Sequence, residues 1–248
     1  MQTKEHILIV GAGLCGSLLA LRLAQRGYQI TLTEKRPDLR KVTQDAGRSI
    51  NLALSDRGLK GLRLAGLEEK ALELCIPMNG RMIHPENGDP FLSPYSGREG
   101  EYINSISRPG LNMLLLDALD EMPNVTTLFN LGCRKIDLEN ATGHFKNHTT
   151  QETETITADI VMGTDGAGSA VRKSMFEHKK FRFSFSQQWL SHGYKELEIR
   201  PTKEGEYKTF KNALHIWPRG KDMLIALPNL DGSFTVTLFL PYDHSDYS

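Results

Sequence analysis

Three glycines in the run Val10-Gly11-Ala12-Gly13-Leu14-Cys15-Gly16 have the spacing with which a backbone wraps a pyrophosphate. The first allows a tight turn. The second lets the main chain approach the phosphates, and the third lets a helix lie close to a strand. The N-terminus of the helix that follows offers unpaired N–H groups to negative charge. Glu34 lies eighteen residues past Gly16. A carboxylate there accepts hydrogen bonds from ribose hydroxyls and repels a 2′-phosphate. Together these residues point to dinucleotide binding, with NAD or FAD favoured over NADP. The plainer alternative is a turn that only packs a helix on a sheet.

That chemistry needs a strand, a turn, a helix and a second strand. Residues 7–10 are a continuous apolar run, as in a strand buried on both faces. Residues 13–26 predict a helix, with Leu14, Leu18, Leu21 and Ala24 at helical spacing and Gly27 as a stop. Residues 29–33 alternate and predict a second strand ending at Glu34. Farther along, 56–65 predict a helix capped by Ser55 or Asp56. Another helix starts at Arg108, with Ser107 as cap and Pro109 in the first turn, and runs to about Met122. Residues 78–84 and 101–106 read as strands around a loop rich in Pro, Gly and Asn, and short strands follow as far as Thr157. Residues 159–164 are again an apolar run, and 169–176 predict a short helix.

From about Phe181 the pattern changes to strands at 189–197, 213–217, 223–226 and 233–240, which predict an antiparallel sheet that 78–101 joins. The expected class is α/β, with a Rossmann-like domain over 1–75 and 101–178. A second, mainly antiparallel β-sheet domain is expected over 76–100 and 179–248.

Composition removes several function classes. The 248 residues hold 30 Lys plus Arg and 30 Asp plus Glu, so zero net charge argues against nucleic acid or an anionic membrane as main partner. Cys15, Cys75 and Cys133 are far apart and lack CxxC spacing, which argues against a disulfide framework or a zinc site. A reducing, cytoplasmic setting is expected. The uncharged run 6–21 reads as strand, turn and helix rather than a leader peptide, because its glycines interrupt it. His84, His192 and His215 lack metal-ligand spacing and read as structural, and no metal is expected. Trp217-Pro218 reads as core or sheet edge.

A second glycine loop, Gly163-Thr164-Asp165-Gly166, follows the 159–164 run and precedes Ser169 and Arg172. Alone, Asp-Gly is an ordinary turn dipeptide. Beside the first loop, and with Arg108 opening a helix after a strand, it resembles the arrangement of the flavin-dependent aromatic hydroxylases. The stretches GRSINLALSDRG (47–58), IPMNGRMIH (76–84), YINSISR (102–108), QQWLSHGYKEL (187–197) and LHIWPRG (214–220) are similar to the kynurenine-hydroxylating branch of that family.

The resemblance implies that both loops serve one FAD, making the first domain FAD-binding and the second a substrate domain. It places Gly11, Gly13, Cys15, Gly16, Thr33, Glu34, Lys35, Arg36, Ala53, Arg108, Cys133, Asp165 and Gly166 around that cofactor. It assigns Arg81 to the substrate's amino-acid carboxylate, with Tyr95 as partner. A planar guanidinium can hold a carboxylate bidentately, and a phenol adds a directional hydrogen bond. It further implies that NADPH reduces the FAD, that dioxygen supplies the oxygen atom, and that L-kynurenine becomes 3-hydroxykynurenine. No side chain is expected to act as a nucleophile. The protein's task is to hold the ring, exclude water and keep the aniline neutral.

NADPH has no motif of its own here. The family's third flavin segment, a Gly-Asp pair followed by a Pro- and Gly-rich loop, has no match through Ser248. The expectation is therefore a chain that carries the nucleotide end of the FAD site, binds FAD weakly and does not hydroxylate alone. The competing readings are another aromatic-substrate flavoprotein hydroxylase, a non-catalytic nucleotide-binding module and an NAD-dependent dehydrogenase.

Overall fold

A computed structural model describes residues 5–42, 51–98, 100–180 and 182–242. Residues 47–50 of the stretch GRSINLALSDRG lie outside them. In chain order the first elements are β1 (His6–Val10), α1 (Leu14–Ala24), β2 (Gln29–Thr33), β3 (Asn51–Leu54), α2 (Asp56–Leu64), α3 (Glu68–Glu73) and β4 (Cys75–Met78). Then come β5 (Gly80–Ile83), β6 (Phe91–Pro94), β7 (Ile103–Ser107), α4 (Arg108–Asp120), β8 (Val125–Leu128), β9 (Leu131–Asp137) and β10 (Thr142–Asn147). The last are β11 (Thr153–Thr157), β12 (Ile160–Gly163), α5 (Ala170–Glu177), β13 (His192–Ile199), β14 (Leu214–Arg219), β15 (Asp222–Pro228) and β16 (Phe234–Pro241). Contacts divide the chain into two units, Met1–Thr43 with Asn112–Gln187 and Gln44–Leu111 with Gln188–Ser248, so the division passes inside α4.

The first unit carries a parallel sheet in the order β12-β1-β2-β8. Ile7, Leu8 and Ile9 are buried, as the unbroken apolar run requires of a strand covered on both faces. Helix α1 buries Ala20, Leu21 and Ala24. Register puts Val10 opposite both Thr33 and Gly163, so β1, β2 and β12 end at one level. A second, antiparallel sheet in the order β11-β10-β9 shares a core with the first and with α5, built from Leu8, Val10, Leu131, Ile136, Phe145 and Val171. Each such side chain contributes about 1.5–3 kcal/mol by leaving water.

The second unit holds a three-stranded antiparallel sheet, β3-β7-β4, and a six-stranded sheet, β13-β16-β15-β14-β5-β6. All neighbours in the larger sheet are antiparallel except β14 and β5. The strand expected over 78–84 is in fact two strands. Met78 ends β4 in one sheet, and Gly80 opens β5 in the other. Between them the Asn79 N–H donates to Asn212 O at 3.0 Å, and its carbonyl accepts from the Tyr95 N–H at 3.2 Å. The expected loop after β5 contains β6, and β13 starts three residues later than the pattern suggested. Trp189, 85 % exposed, and Leu190, 81 % exposed, belong to no strand.

The expected structural role of His84 and His215 has a definite form. Phe210 O can only accept, so His215 Nε2 donates to it at 2.7 Å. His215 Nδ1 is then bare and accepts from His84 Nε2 at 2.8 Å. Trp217, half-buried, stacks on the His84 ring at 4.2 Å and 10°. Burial favours the neutral form of both rings, with the charges of His215 and Arg219 adding to the effect at His84. Among the described residues no helix is long and apolar enough to cross a membrane.

Candidate functional sites

The first glycine turn sits at the carboxyl end of β1. Gly11, at φ +103°, donates its N–H to Thr33 O at 2.8 Å. Ala12 donates its N–H to Glu34 Oε2 at 3.0 Å, and the other carboxylate oxygen accepts from the Arg36 N–H at 3.1 Å. Glu34 thus joins the end of β2 to the turn. Gly13 caps α1 with no side-chain hydrogen bond, so the first-turn N–H groups are left for a ligand. A Cβ on Gly16 would overlap Gly11 O and lie 2.5 Å from Thr164 Oγ1. Only glycine lets the helix come this close to the strand.

The segment after Glu34 is fixed as well. The Asn130 N–H donates to Arg36 O at 3.0 Å. Arg40 bridges Asp38 on its own segment, at 2.8 Å, to Asp117 and Asp120 of α4, at 2.8 and 2.6 Å. The hydrogen bond from Arg40 holds the Asp38 carboxyl below the usual carboxylate range, against its burial. Lys35 and Arg36 are exposed beside Glu34, and Cys15 is exposed in the first turn of α1.

The second glycine loop leaves the end of β12 beside this turn. The Thr164 N–H donates to Val10 O at 2.8 Å. Asp165 accepts from Ser169 Oγ at 2.6 Å and from the Ala170 N–H at 2.6 Å, so its carboxylate closes the N-terminus of α5. Gly166 follows at φ +79°. Arg172 donates back to the Gly166 carbonyl at 3.5 Å and to the Ala167 carbonyl. The Cys133 thiol is pushed up to about 11, by burial first and then by the Asp165 carboxylate, and so stays protonated. In the first unit, then, Gly11, Gly13, Cys15, Gly16, Thr33, Glu34, Asp165 and Gly166 lie at the carboxyl ends of three adjacent strands, where ligands of such sheets bind.

In the second unit Ala53 is exposed on β3 opposite Ser105, and Arg108 is exposed as the first residue of α4. Arg81 on β5 lies over the Tyr95 ring, with its Cζ 4.6 Å from the centroid. The Tyr95 hydroxyl is buried without a hydrogen-bond partner. Burial pushes that phenol up, against the pull of Arg81. Gly80 keeps the pair close: a Cβ there would sit 2.5 Å from Ser93 O, forcing β6 away. Register puts Ile83, Leu214, Ile216, Ile225 and Thr237 on the same sheet face as Arg81, all half-buried. The opposite face carries the buried Ala226, Val236 and Phe234.

Residues 4–218 match the family described as FAD binding domain. The chain belongs to this family. FAD is accordingly its cofactor, and the fold is the mixed α/β one expected. It is 46 % identical over 239 residues to a kynurenine 3-monooxygenase of Myxococcus xanthus, covering 96 % of this chain and 51 % of that protein. It is 45 % identical over 236 residues to one of Anopheles gambiae, covering 95 % and 48 %. The chain therefore spans about half the length of the curated relatives it matches. Solved structures that share its fold include two oxygenases. The p-nitrophenol 4-monooxygenase of Pseudomonas putida is 18 % identical with a TM-score of 0.75, over 100 % of this chain and 60 % of that one. The 2-methyl-3-hydroxypyridine-5-carboxylic acid oxygenase is 20 % identical with a TM-score of 0.76, over 98 % and 60 %.

The first turn suits the pyrophosphate of FAD. A Cβ on Gly13 would meet nothing within 4 Å, so the space beside the helix N-terminus is open for phosphate. Three residues that hold this turn escaped the sequence reading. Ser17 Oγ donates to Ala12 O at 3.0 Å, Asn112 Nδ2 donates to the same carbonyl at 3.1 Å, and Thr164 Oγ1 donates into the turn. Thr164 stood inside a quoted motif. Asn112, a hundred residues from the turn, left no signal that spacing could carry. The half-buried face shared with Arg81 was readable in principle from strand alternation, once the register was known.

Proposed function

We propose that this chain is the nucleotide-binding and substrate-clamping portion of a kynurenine 3-monooxygenase. That whole enzyme would convert L-kynurenine, NADPH, a proton and dioxygen to 3-hydroxykynurenine, NADP⁺ and water, and this chain alone is expected not to hydroxylate. Residues 1–75 and 101–178 are assigned to FAD, and 76–100 and 179–248 to the substrate. Supporting this is the Arg81–Tyr95 pair, with its unpartnered buried hydroxyl, in a chain 44–46 % identical to proteins of that name.

In this reading the chain binds, orients and shields. Arg81 donates paired N–H groups to the amino-acid carboxylate, and Tyr95 donates its O–H to the same group. Ile216, Ile225 and Thr237 bed the aromatic ring and keep water away from it, and their low polarity keeps the aniline nitrogen uncharged. The first-turn amides of α1 hold the pyrophosphate and Glu34 the ribose, with Lys35, Arg36, Cys133 and Asp165 beside them, and Ala53 and Arg108 keep the FAD role that the resemblance implies. Bound FAD supplies the redox chemistry that carries one oxygen atom to the ring. A cytoplasmic setting belongs to the proposal and suits the free Cys15, Cys75 and Cys133.

The test is spectroscopic. FAD added to the purified chain should give a shifted flavin absorbance, and L-kynurenine should then perturb that spectrum. Arg81→Ala should weaken the L-kynurenine response about 30–100-fold while FAD stays bound, since a charge-assisted pair is lost. Loss of FAD in that variant would move Arg81 out of the substrate role. In a protein of the relatives' full length, L-kynurenine should stimulate NADPH oxidation. Stimulation only by other aromatic acids would replace the substrate.

A further inference from the structure

The polar groups of the first glycine turn are almost all engaged before any ligand arrives. Gly11 N–H goes to Thr33 O, Ala12 N–H to Glu34, and Ala12 O accepts from Ser17 and Asn112. The carbonyls of Val10 and Gly11 turn the other way. Both lie 2.8 Å from Thr164 Oγ1, across 154 and 153 residues of sequence. The β1–β12 ladder accounts for only one of them, because its last backbone bond runs from Thr164 N–H to Val10 O. Beyond that rung the threonine hydroxyl is what reaches Gly11 O. The same oxygen packs where a Cβ of Gly16 would stand, and the Thr164 carbonyl would lie 2.7 Å from a Cβ on Gly11. The two loops are therefore fitted to each other through one side chain.

We propose that Thr164 is a positioning residue for FAD. Its hydroxyl clasps the second glycine loop to the first and fixes the peptide planes at Val10–Ala12, so that the first-turn amides of α1 are aimed at the pyrophosphate in advance. The proposal rests on the FAD reading of this turn. Pre-organisation of this kind strengthens binding by removing the ordering that the ligand would otherwise impose. Thr164 itself touches no reacting atom.

Thr164→Val keeps the branched shape and removes the hydroxyl, whereas Thr164→Ser keeps the hydroxyl. In the 248-residue chain, Thr164→Val should raise the dissociation constants for FAD and for ADP about tenfold, and Thr164→Ser should stay within about twofold of the parent. Without ligand, amide hydrogen exchange at residues 11–16 should quicken about tenfold in Thr164→Val while the later turns of α1 are unchanged. A purely structural threonine would lower the unfolding midpoint but leave both the ligand affinities and the local exchange alone. That result overturns the proposal, as does a Ser variant as weak as the Val one. If Thr164→Val does not fold, Thr164→Ala is read by the same measures. A parent chain that binds neither FAD nor ADP removes the FAD reading and the proposal together. A parent that binds FAD beside an unaffected Val variant removes the proposal alone.

Discussion

The first glycine turn in the first unit and the Arg81–Tyr95 pair in the second are built from different materials. The turn is made of peptide groups: glycines where a Cβ would collide, carbonyls turned aside, and helix amides left unpaired. The pair is made of two side chains, Arg81 on β5 and Tyr95 just past the end of the neighbouring β6, one lying on the other. Backbone sites depend on what is absent at a position, and side-chain sites on what is present. The first should therefore fail sharply when any atom is added. The second should lose binding in steps as donors are removed.

Gly16→Ala gives the largest break. Its new methyl overlaps Gly11 O, so FAD affinity should fall at least about 100-fold, and the unfolding midpoint should drop with it, as overpacking of a rigid contact predicts. Fluorescence titration and thermal melts would check this, and a variant that binds FAD normally would mean that the turn can relax. Glu34→Gln should be milder, because the amide keeps one acceptor. FAD affinity should fall about 5–10-fold, and discrimination against 2′-phosphorylated nucleotides should weaken, measured by competition with 2′-phospho-AMP. Among the described residues Glu34 is the one carboxylate bound into the turn, so this variant asks how far a backbone site leans on a side chain.

The smallest effect concerns pH. His84 and His215 have folded-state pKa values lowered by burial, so the unfolded rings bind protons at a pH where the folded ones do not. The stability they contribute is present above the ordinary histidine range and is lost as pH falls through it toward the lowered values. The unfolding midpoint should fall by about 3 °C between pH 7.5 and 5.5, and His215→Gln should flatten that slope. A slope that survives the substitution would assign it to other groups.

The same contrast explains what could be read from sequence. Gly11, Gly13, Gly16 and Glu34 were legible because a backbone turn constrains residue type at fixed spacing. So were β1, α1 and β2, whose periodicity is strong and local. Arg81 and Tyr95 were legible only through resemblance, since nothing in their spacing forces them together. The break at Asn79 was hidden because residues on both sides are equally strand-like, and what separates them is a change of partner sheet. Strand β6 was hidden inside a loop-like composition, because its pairing with β5 is set by tertiary context.

Strand β5 pairs in parallel with β14 through only three positions, and the histidine contact beside them joins residues 131 apart. A hairpin of two four-residue strands, β5 and β6, is marginal alone in water. On the ribosome, Arg81 and Tyr95 therefore emerge long before they have a scaffold. Their geometry is completed only after residue 216 has been translated, so the Arg81–Tyr95 pair matures well after its own residues have emerged.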